Sequence, residues 1–305
     1  MTGGAGFIGS HVADRFVADG HEVTVVDNFS TGRREHVPAA AALAVVDLRS
    51  AGLAAVVQQA RPEAVVHLAA QVSVARSVVD PAFDAVINLG GTAALLQAAE
   101  RAGAERVVYV STGGAAYGDA DVVPTPEDHP TRSTSPYGVS KVGAERYVEL
   151  WSQSTRGRGI VLRLANVYGP RQSPHGEAGV VAIFCHRLGA GEPCIVNGAG
   201  EQTRDFVYVG DVVDAVARAL ASPEGFGVVN VGTGVETSVN DLYRRLAAAA
   251  GVSAAARHAP ARPGEQRRSA LDASRAKVWL GWSALTSLDE GLKRTLTWFR
   301  REVTM

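Results

Sequence analysis

The sequence predicts an α/β protein, a doubly wound parallel sheet followed by a smaller C-terminal lobe. Three observations carry this. Short β-branched runs recur at His21 to Asp27 (HEVTVVD), Ala64 to Leu68 (AVVHL) and Arg106 to Ser111 (RVVYVS). Nearly continuous apolar strands of this kind are buried on both faces, as in parallel sheets. Ala-rich segments at helical period, such as Asp84 to Ala102, lie between them. The pattern then breaks after about Leu164, where Gly, Pro and Arg become frequent between Gly169 and Arg204.

The first helix is expected from about Phe7 to Asp19, and Asp47-Leu48 closes a third short strand. Phe206 to Leu220 and Val228 to Val231 read as a helix and a strand that return to the sheet. Asn240 to Ala250 and Leu288 to Arg301 read as helices of the lobe. The expected division is residues 1–165 plus about 206–231 in the nucleotide-binding domain, and 166–205 plus 232–305 in the lobe. A strand should precede the glycine loop of such a domain, yet the chain opens Met1-Thr2-Gly3. Almost the whole first strand is therefore absent from this sequence, and a start placed downstream of the true one is one explanation.

Composition narrows the partners. The chain has 305 residues, 46% hydrophobic and 20% charged, with Lys+Arg 30 against Asp+Glu 31. No polybasic run is present, which argues against nucleic acid or an anionic membrane as partner. No apolar run approaches the ~20 residues of a membrane span. The two cysteines, Cys185 and Cys194, have no metal or CxxC spacing and fit reduced thiols, so the cytoplasm is the expected compartment.

Gly3-Gly4-Ala5-Gly6-Phe7-Ile8-Gly9 contains overlapping Gly-x-x-Gly-x-x-Gly and Gly-x-Gly-x-x-Gly patterns. Glycines allow a tight turn and let backbone N–H groups approach a pyrophosphate. The following helix presents its N-terminus to that anion. The next strand ends at Asp27, where an acid accepts hydrogen bonds from the adenosine ribose. The same carboxylate repels a 2′-phosphate, so NAD is expected over NADP. Loop, helix and acid together define a Rossmann dinucleotide site. Asp47 either accepts from the adenine amino group or caps the next helix; spacing alone leaves both open.

Tyr137-Gly138-Val139-Ser140-Lys141 places Tyr and Lys at i and i+4, on one helix face. A phenol of pKa ~10 is a poor base at neutral pH. A nearby ammonium and a nicotinium ring favour the phenolate. Ser135-Pro136 precedes the pair, and Ser111-Thr112 closes an apolar strand at the sheet edge where such folds bind ligands.

In these motifs the chain resembles the extended short-chain dehydrogenase/reductase superfamily, above all its UDP-glucose 4-epimerase branch. The resemblance runs through TGGAGFIGS at Thr2 to Ser10, DNFSTG at Asp27 to Gly32, HLAAQ at His67 to Gln71 and STGGAAYG at Ser111 to Gly118. It continues through SPYGVSK at Ser135 to Lys141, NVYGPRQ at Asn166 to Gln172, RDFV at Arg204 to Val207 and RPGE at Arg262 to Glu265. It implies a tightly held NAD, a nucleotide-diphosphate sugar substrate and a homodimer. Gly3, Gly6, Phe7, Ile8 and Gly9 then line the pyrophosphate, and Asp27 and Asn28 hold the ribose. Asp47 and Leu48 flank adenine, Leu68, Ala69 and Ala70 pass beside the cofactor, and Asn88 supports it. Thr112, Tyr137 and Lys141 form the catalytic group, with Ser111 as the substitute hydroxyl. Asn166, Arg204, Arg262 and Glu265 grip the nucleotide diphosphate. Ser269 stands where some relatives carry a tyrosine beside the sugar.

The implied chemistry is a transient oxidation at C4. Tyr137 takes the proton of the sugar 4′-hydroxyl, the flat keto sugar turns about its diphosphate link, and hydride returns to the other face. Related readings are a UDP-uronic acid epimerase, a dehydratase or a decarboxylase. Dehydratases carry Asp-Glu after the active-site Thr, whereas Gly113-Gly114 follow Thr112 here, and glycine moves no proton. A non-catalytic NAD-binding protein is a further alternative, opposed by the presence of Thr112, Tyr137 and Lys141. His67 reads as an anchoring residue rather than an acid or base. His129 and His258 read as surface residues.

Overall fold

The computed structural model describes residues 1–175, 179–261, 264 and 266–304. Six parallel strands build the central sheet: β1 (Thr24–Asp27), β2 (Ala42–Val45), β3 (Ala64–His67), β4 (Arg106–Thr112), β5 (Arg158–Leu164) and β6 (Phe226–Val231). Their order is β2-β1, then β3-β4-β5-β6, with register such as Val25↔Leu43 and Val108↔Ile160. Residues Met1 to Gly3 join the two halves at the carboxyl ends of β1 and β3. Thr2 bridges both Val26 and His67. Its N–H donates to Val66 O at 3.0 Å, and Gly3 N–H donates to Val26 O at 2.9 Å. The chain-terminal ammonium donates to Thr24 O at 2.7 Å, and burial lowers its pKa to about 6.

The strands are apolar on both sides because both faces are covered. Helices Phe7–Ala18 and Val209–Ala221 bury Val12, Phe16, Val212 and Val216 on one face. Helices Gly52–Ala60, Pro81–Arg101 and Pro136–Thr155 bury Leu53, Leu95, Val148 and Trp151 on the other. A third core joins Val180–Gly189, Val239–Ala250 and Leu288–Thr304 around Phe184, Leu242 and Phe299. Ser274–Leu280 and Trp282 pack back onto the first core.

Three elements differ from the sequence reading. The strand assigned to Asp47-Leu48 ends at Val45, and Asp47 lies in the turn beyond it, where its carboxylate caps Arg49 N–H. The segment Phe206 to Leu220 opens as a short strand, Phe206–Tyr208, before its helix begins. The helix through Asp84 begins earlier and is long and apolar enough by composition to span a membrane. It carries a π-helical stretch at Val86–Gly90, and its polar Asp84, Asn88 and Thr92 are buried in the protein. The π turn re-aims side chains in a helix, a device frequent near functional sites.

Candidate active site

The glycine loop is a close-packed cradle. Gly3 has φ +69°, and a Cβ there would lie 2.6 Å from Ala69 N. A Cβ on Gly9 would lie 2.0 Å from Gly3 O. Ala69 and the first helical turn therefore touch the loop backbone directly. Gly6 caps the helix without any side-chain bond, and the first intrahelical bond is Ser10 N–H to Gly6 O at 3.0 Å. The N–H groups of Phe7, Ile8 and Gly9 thus point out of the helix end, the arrangement that suits a pyrophosphate. These residues fit a dinucleotide.

Asp27 is buried and ties this cradle to the next loop. Its Oδ2 accepts from Ala5 N–H at 3.0 Å and its Oδ1 from Phe29 N–H at 2.9 Å. Each oxygen keeps a second lone pair for a ribose hydroxyl. Asn28 donates to Asp47 Oδ2 at 2.8 Å, and Arg49 grips Asp47 with Nε and Nη2, each at 2.8 Å. These partners hold the Asp47 carboxyl far below the usual carboxylate range. Leu48 is buried against Gly91. Leu68 N–H donates to Thr2 O at 3.2 Å and Ala69 N–H to Thr2 Oγ1 at 3.3 Å, so the strip toward Ala70 runs beside the cradle. His67 is an anchor: Nδ1 meets Thr2 Oγ1 at 2.6 Å and Nε2 meets Thr92 Oγ1 at 2.9 Å. Burial, with Lys141 nearby, lowers its pKa to about 3, so it is neutral. Asn88 pairs with the backbone of Gln71, accepting its N–H at 2.8 Å and donating to its carbonyl at 2.9 Å.

Tyr137 lies in the first turn of Pro136–Thr155. Ser135 caps that helix by accepting Gly138 N–H at 3.2 Å, and Pro136 sits at the first position, where no N–H is needed. Thr112 ends β4 beside the Tyr137 phenol, whose pKa it lowers. Ser111 instead donates to Glu145 Oε1 at 2.5 Å, so its hydroxyl is committed away from Tyr137. Lys141 is buried, donates from Nζ to Val110 O at 2.7 Å and lies 4.2 Å from the centre of the Tyr109 ring. Burial raises the Tyr137 pKa to about 12, with help from the charge of Asp84 and against the effect of Thr112. Burial lowers that of Lys141 to about 7, opposed by Glu145 and Asp84. The spacing argument gave Lys141 a lowering effect on Tyr137. With Nζ turned to Val110 O, burial and Asp84 set the direction instead.

The segment after Thr112 is walled differently. Ser269 is buried, its Oγ 3.4 Å from where a Cβ on Gly114 would stand, beside Gln266 Oε1 at the same separation. A Cβ on Gly113 would lie 2.5 Å from Leu271 Cδ1. The two glycines are therefore seats for side chains of the 266–271 segment. Asn166 is exposed, and its N–H donates to Asp205 O at 2.9 Å. Arg204 donates to Thr203 O at 2.7 Å from a two-residue strand paired with Thr237–Ser238. Arg262 and Glu265 lie outside the described residues.

Several site residues carried no sequence signal. Asp205 is buried and collects N–H groups of Thr233, Gly234 and Leu271, at 2.9, 3.0 and 3.2 Å. It thereby ties the 233–234 turn to Leu271, and burial raises its pKa. Glu145 and Arg163 form a buried pair at 2.6 Å that reaches Tyr117 and Asn230. Glu145 follows Lys141, and Asp84 precedes Asn88, by one helical turn; that spacing was the available clue. His129 is buried, with Asp121 Oδ1 at 2.6 Å from Nε2, rather than a surface residue.

Comparison with known proteins agrees with the fold and with NAD as cofactor. The family described as the NAD dependent epimerase/dehydratase family matches residues 1–232. The UDP-glucose 4-epimerase of Mycolicibacterium smegmatis is 45% identical over 307 residues, covering 99% of this chain and 98% of that protein. The structure of UDP-glucose 4-epimerase with UDP-glucose from Thermotoga maritima aligns with TM-score 0.95 and 44% identity, covering 99% of this chain and 98% of that one. That of Thermus thermophilus UDP-glucose 4-epimerase in complex with NAD aligns with TM-score 0.93 and 43% identity, covering 98% and 97%. The chain belongs to the NAD dependent epimerase/dehydratase family.

Proposed function

We propose that this protein is an NAD-dependent 4-epimerase of a nucleotide-diphosphate sugar, interconverting UDP-glucose and UDP-galactose. The observation that carries this is Thr112 at the end of its strand beside the Tyr137 phenol, one helical turn from buried Lys141, with Gly113 and Gly114 rather than an acid following Thr112 in the chain. Bound NAD supplies the acceptor and donor of hydride. Tyr137 takes and returns the proton at O4′, and Thr112 hydrogen-bonds the same oxygen. Lys141 holds the nicotinamide ribose. Asp27 and Asn28 hold the adenosine ribose, Asp47 and Leu48 flank adenine, and Asp27 disfavours a 2′-phosphate. Arg204 and Arg262 bind the diphosphate through paired guanidinium hydrogen bonds, and Asn166 and Glu265 share in gripping the nucleotide. A firm hold on the nucleotide and a loose one on the sugar lets the oxidised ring turn.

The division of labour follows the sequence: 1–165 with about 206–231 for NAD, 166–205 and 232–305 for the sugar nucleotide. A second copy of the chain covers the exposed Val79, Val86, Val139, Tyr147 and Leu150, which lie on helices packed together at one side. Sedimentation at micromolar concentration reads this directly; a monomer removes the interface. The two buried free thiols suit the cytoplasm. The decisive experiment incubates the protein with UDP- and dTDP-sugars and reads products by NMR. C4 inversion of UDP-glucose is the expected result. Loss of water or carbon dioxide instead overturns the reading.

A further inference from the structure

A chain of buried hydrogen bonds runs from the Tyr137 helix to the 266–272 segment, and chemistry fixes its direction. Glu145, on that helix, receives both forks of Arg163 of β5, at 3.0 and 2.6 Å. A guanidinium only donates. The remaining Nη1 lies 2.9 Å from the Tyr117 oxygen, so that oxygen accepts there. The single phenol hydrogen is left for Asn230 Oδ1, at 2.9 Å. With Oδ1 taken, the Asn230 amide turns both of its N–H groups the other way. They donate to Thr125 O at 2.9 Å and Asp272 O at 3.1 Å. Glu145, Arg163, Tyr117 and Asn230 are all buried, a setting that strengthens such bonds.

The two carbonyls belong to segments that meet in a short ladder. Thr125 N–H donates to Ala270 O at 2.8 Å, Asp272 N–H donates to Thr125 O at 3.0 Å, and Thr125 bridges Leu271. Asn230 closes this ladder from β6. The same segment packs Ser269 and Leu271 on Gly114 and Gly113, which follow Thr112. Asp205 holds it at one further point, Leu271 N–H, at 3.2 Å. Glu127 accepts the Asn230 backbone N–H at 2.9 Å, so the strand is held whichever way the amide points. The hold on Thr125 and Asp272 does depend on the amide. Flipped, it sets its oxygen against two carbonyl oxygens.

We infer that Asn230 is a positioning residue, oriented by Tyr117 and Arg163, that sets the 266–272 segment in register with the strand of Thr112 and the helix of Tyr137. The purpose of that register, a wall for the sugar nucleotide, rests on the epimerase reading. The hold itself does not, and it can be read without substrate.

Amide hydrogen exchange of the purified protein, read by mass spectrometry, compares wild type with Asn230→Ala and Tyr117→Phe. In Asn230→Ala the amides of Thr125 and Asp272 exchange about tenfold faster, the effect of about one lost hydrogen bond on local opening. The helix Val239–Ala250 keeps its wild-type rate. Tyr117→Phe frees the amide to turn, and the same two amides speed up by a smaller factor. The double variant exchanges no faster than Asn230→Ala, because Tyr117 acts on the segment through Asn230. With UDP-glucose, KM rises about tenfold in Asn230→Ala while kcat stays within about threefold, the pattern of lost uniform binding. Mere loss of folded enzyme lowers kcat and leaves KM alone.

Wild-type exchange at Thr125 and Asp272 in either variant overturns the inference, as does faster exchange spread evenly over the chain. An unchanged KM beside faster exchange also overturns it, since the segment then positions nothing for substrate. Where Asn230→Ala does not fold, Tyr117→Phe decides the matter alone. If wild type inverts no sugar, the epimerase reading falls, and faster local exchange still supports the hold of Asn230 on the segment.

Discussion

The cofactor side and the sugar side of this cleft are built by opposite means. Around the cradle, nearly every polar group is already committed: Asp27 to Ala5 and Phe29, Asn88 to Gln71, His67 to Thr2 and Thr92, Lys141 to Val110. On the side proposed for the sugar, Gly113 and Gly114 pack against Leu271, Ser269 and Gln266. Fixed donors pre-arranged in a buried setting hold a ligand in one pose. A wall of small groups constrains shape and little else. One side suits a cofactor that stays, the other a ring that must turn.

The largest effect expected from breaking this comparison is at Tyr137. Replacing it with Phe lowers kcat by about two to four powers of ten, while NAD still copurifies, since the cradle is untouched. Turnover within about threefold of wild type would remove Tyr137 from the chemistry. The phenol pKa is raised to about 12, so the phenolate fraction grows with pH. Wild-type kcat/KM therefore rises with pH from 6 until Lys141, lowered to about 7, loses its charge, and a flat profile would show that another group takes the proton.

Next in size is the stability of the committed side. Glu145→Gln leaves Arg163 buried without its carboxylate, a change that costs about 3–5 kcal/mol when one partner of a buried pair is removed. Urea unfolding measures it. A loss under about 1 kcal/mol would mean that Tyr117 and water satisfy Arg163 without Glu145.

The two sides also differ in how much of them the sequence carried. The cradle and Asp27 were legible because backbone demands force glycine and an acid at fixed spacing. Tyr137 and Lys141 were legible through the helical turn between them. Asp84, Glu145, Arg163 and Asp205 were not, because a polar residue in an apolar segment has no partner until distant elements meet. Asp205 collects its donors from residues 233, 234 and 271. Ser111 and Thr112 stood side by side in the sequence, and only the pleat of β4 separated them, one toward Glu145 and one toward Tyr137. Arg262 and Glu265 lie outside the described residues and stay with the proposal.

A smaller effect is expected at the glycine wall itself. Gly113→Ala drives a methyl group against Leu271 Cδ1, and overpacking of this kind costs about 1–3 kcal/mol. Leu271→Ala in the same chain makes room and should restore most of that loss. Equal unfolding midpoints for Gly113→Ala and wild type would show that Leu271 yields freely and that the wall is soft.

The smallest effect is one of selectivity. Ser269 is buried against Gly114 and Gln266, where a tyrosine would project into the sugar side. If the small side chain leaves room for an N-acetyl group at C2, UDP-N-acetylglucosamine should be accepted alongside UDP-glucose. Discrimination by pocket size is worth about 10–200-fold for a group no larger than a methylene. Ser269→Tyr should then reduce kcat/KM for the acetylated sugar about tenfold or more relative to UDP-glucose. The comparison of the two substrates in one variant separates size from damage, because a disturbed Gly114 or Gln266 lowers both rates together. Equal losses, or a wild-type enzyme inert toward the acetylated sugar, would mean that Gln266 or Leu271 already fills the space that Ser269 leaves open.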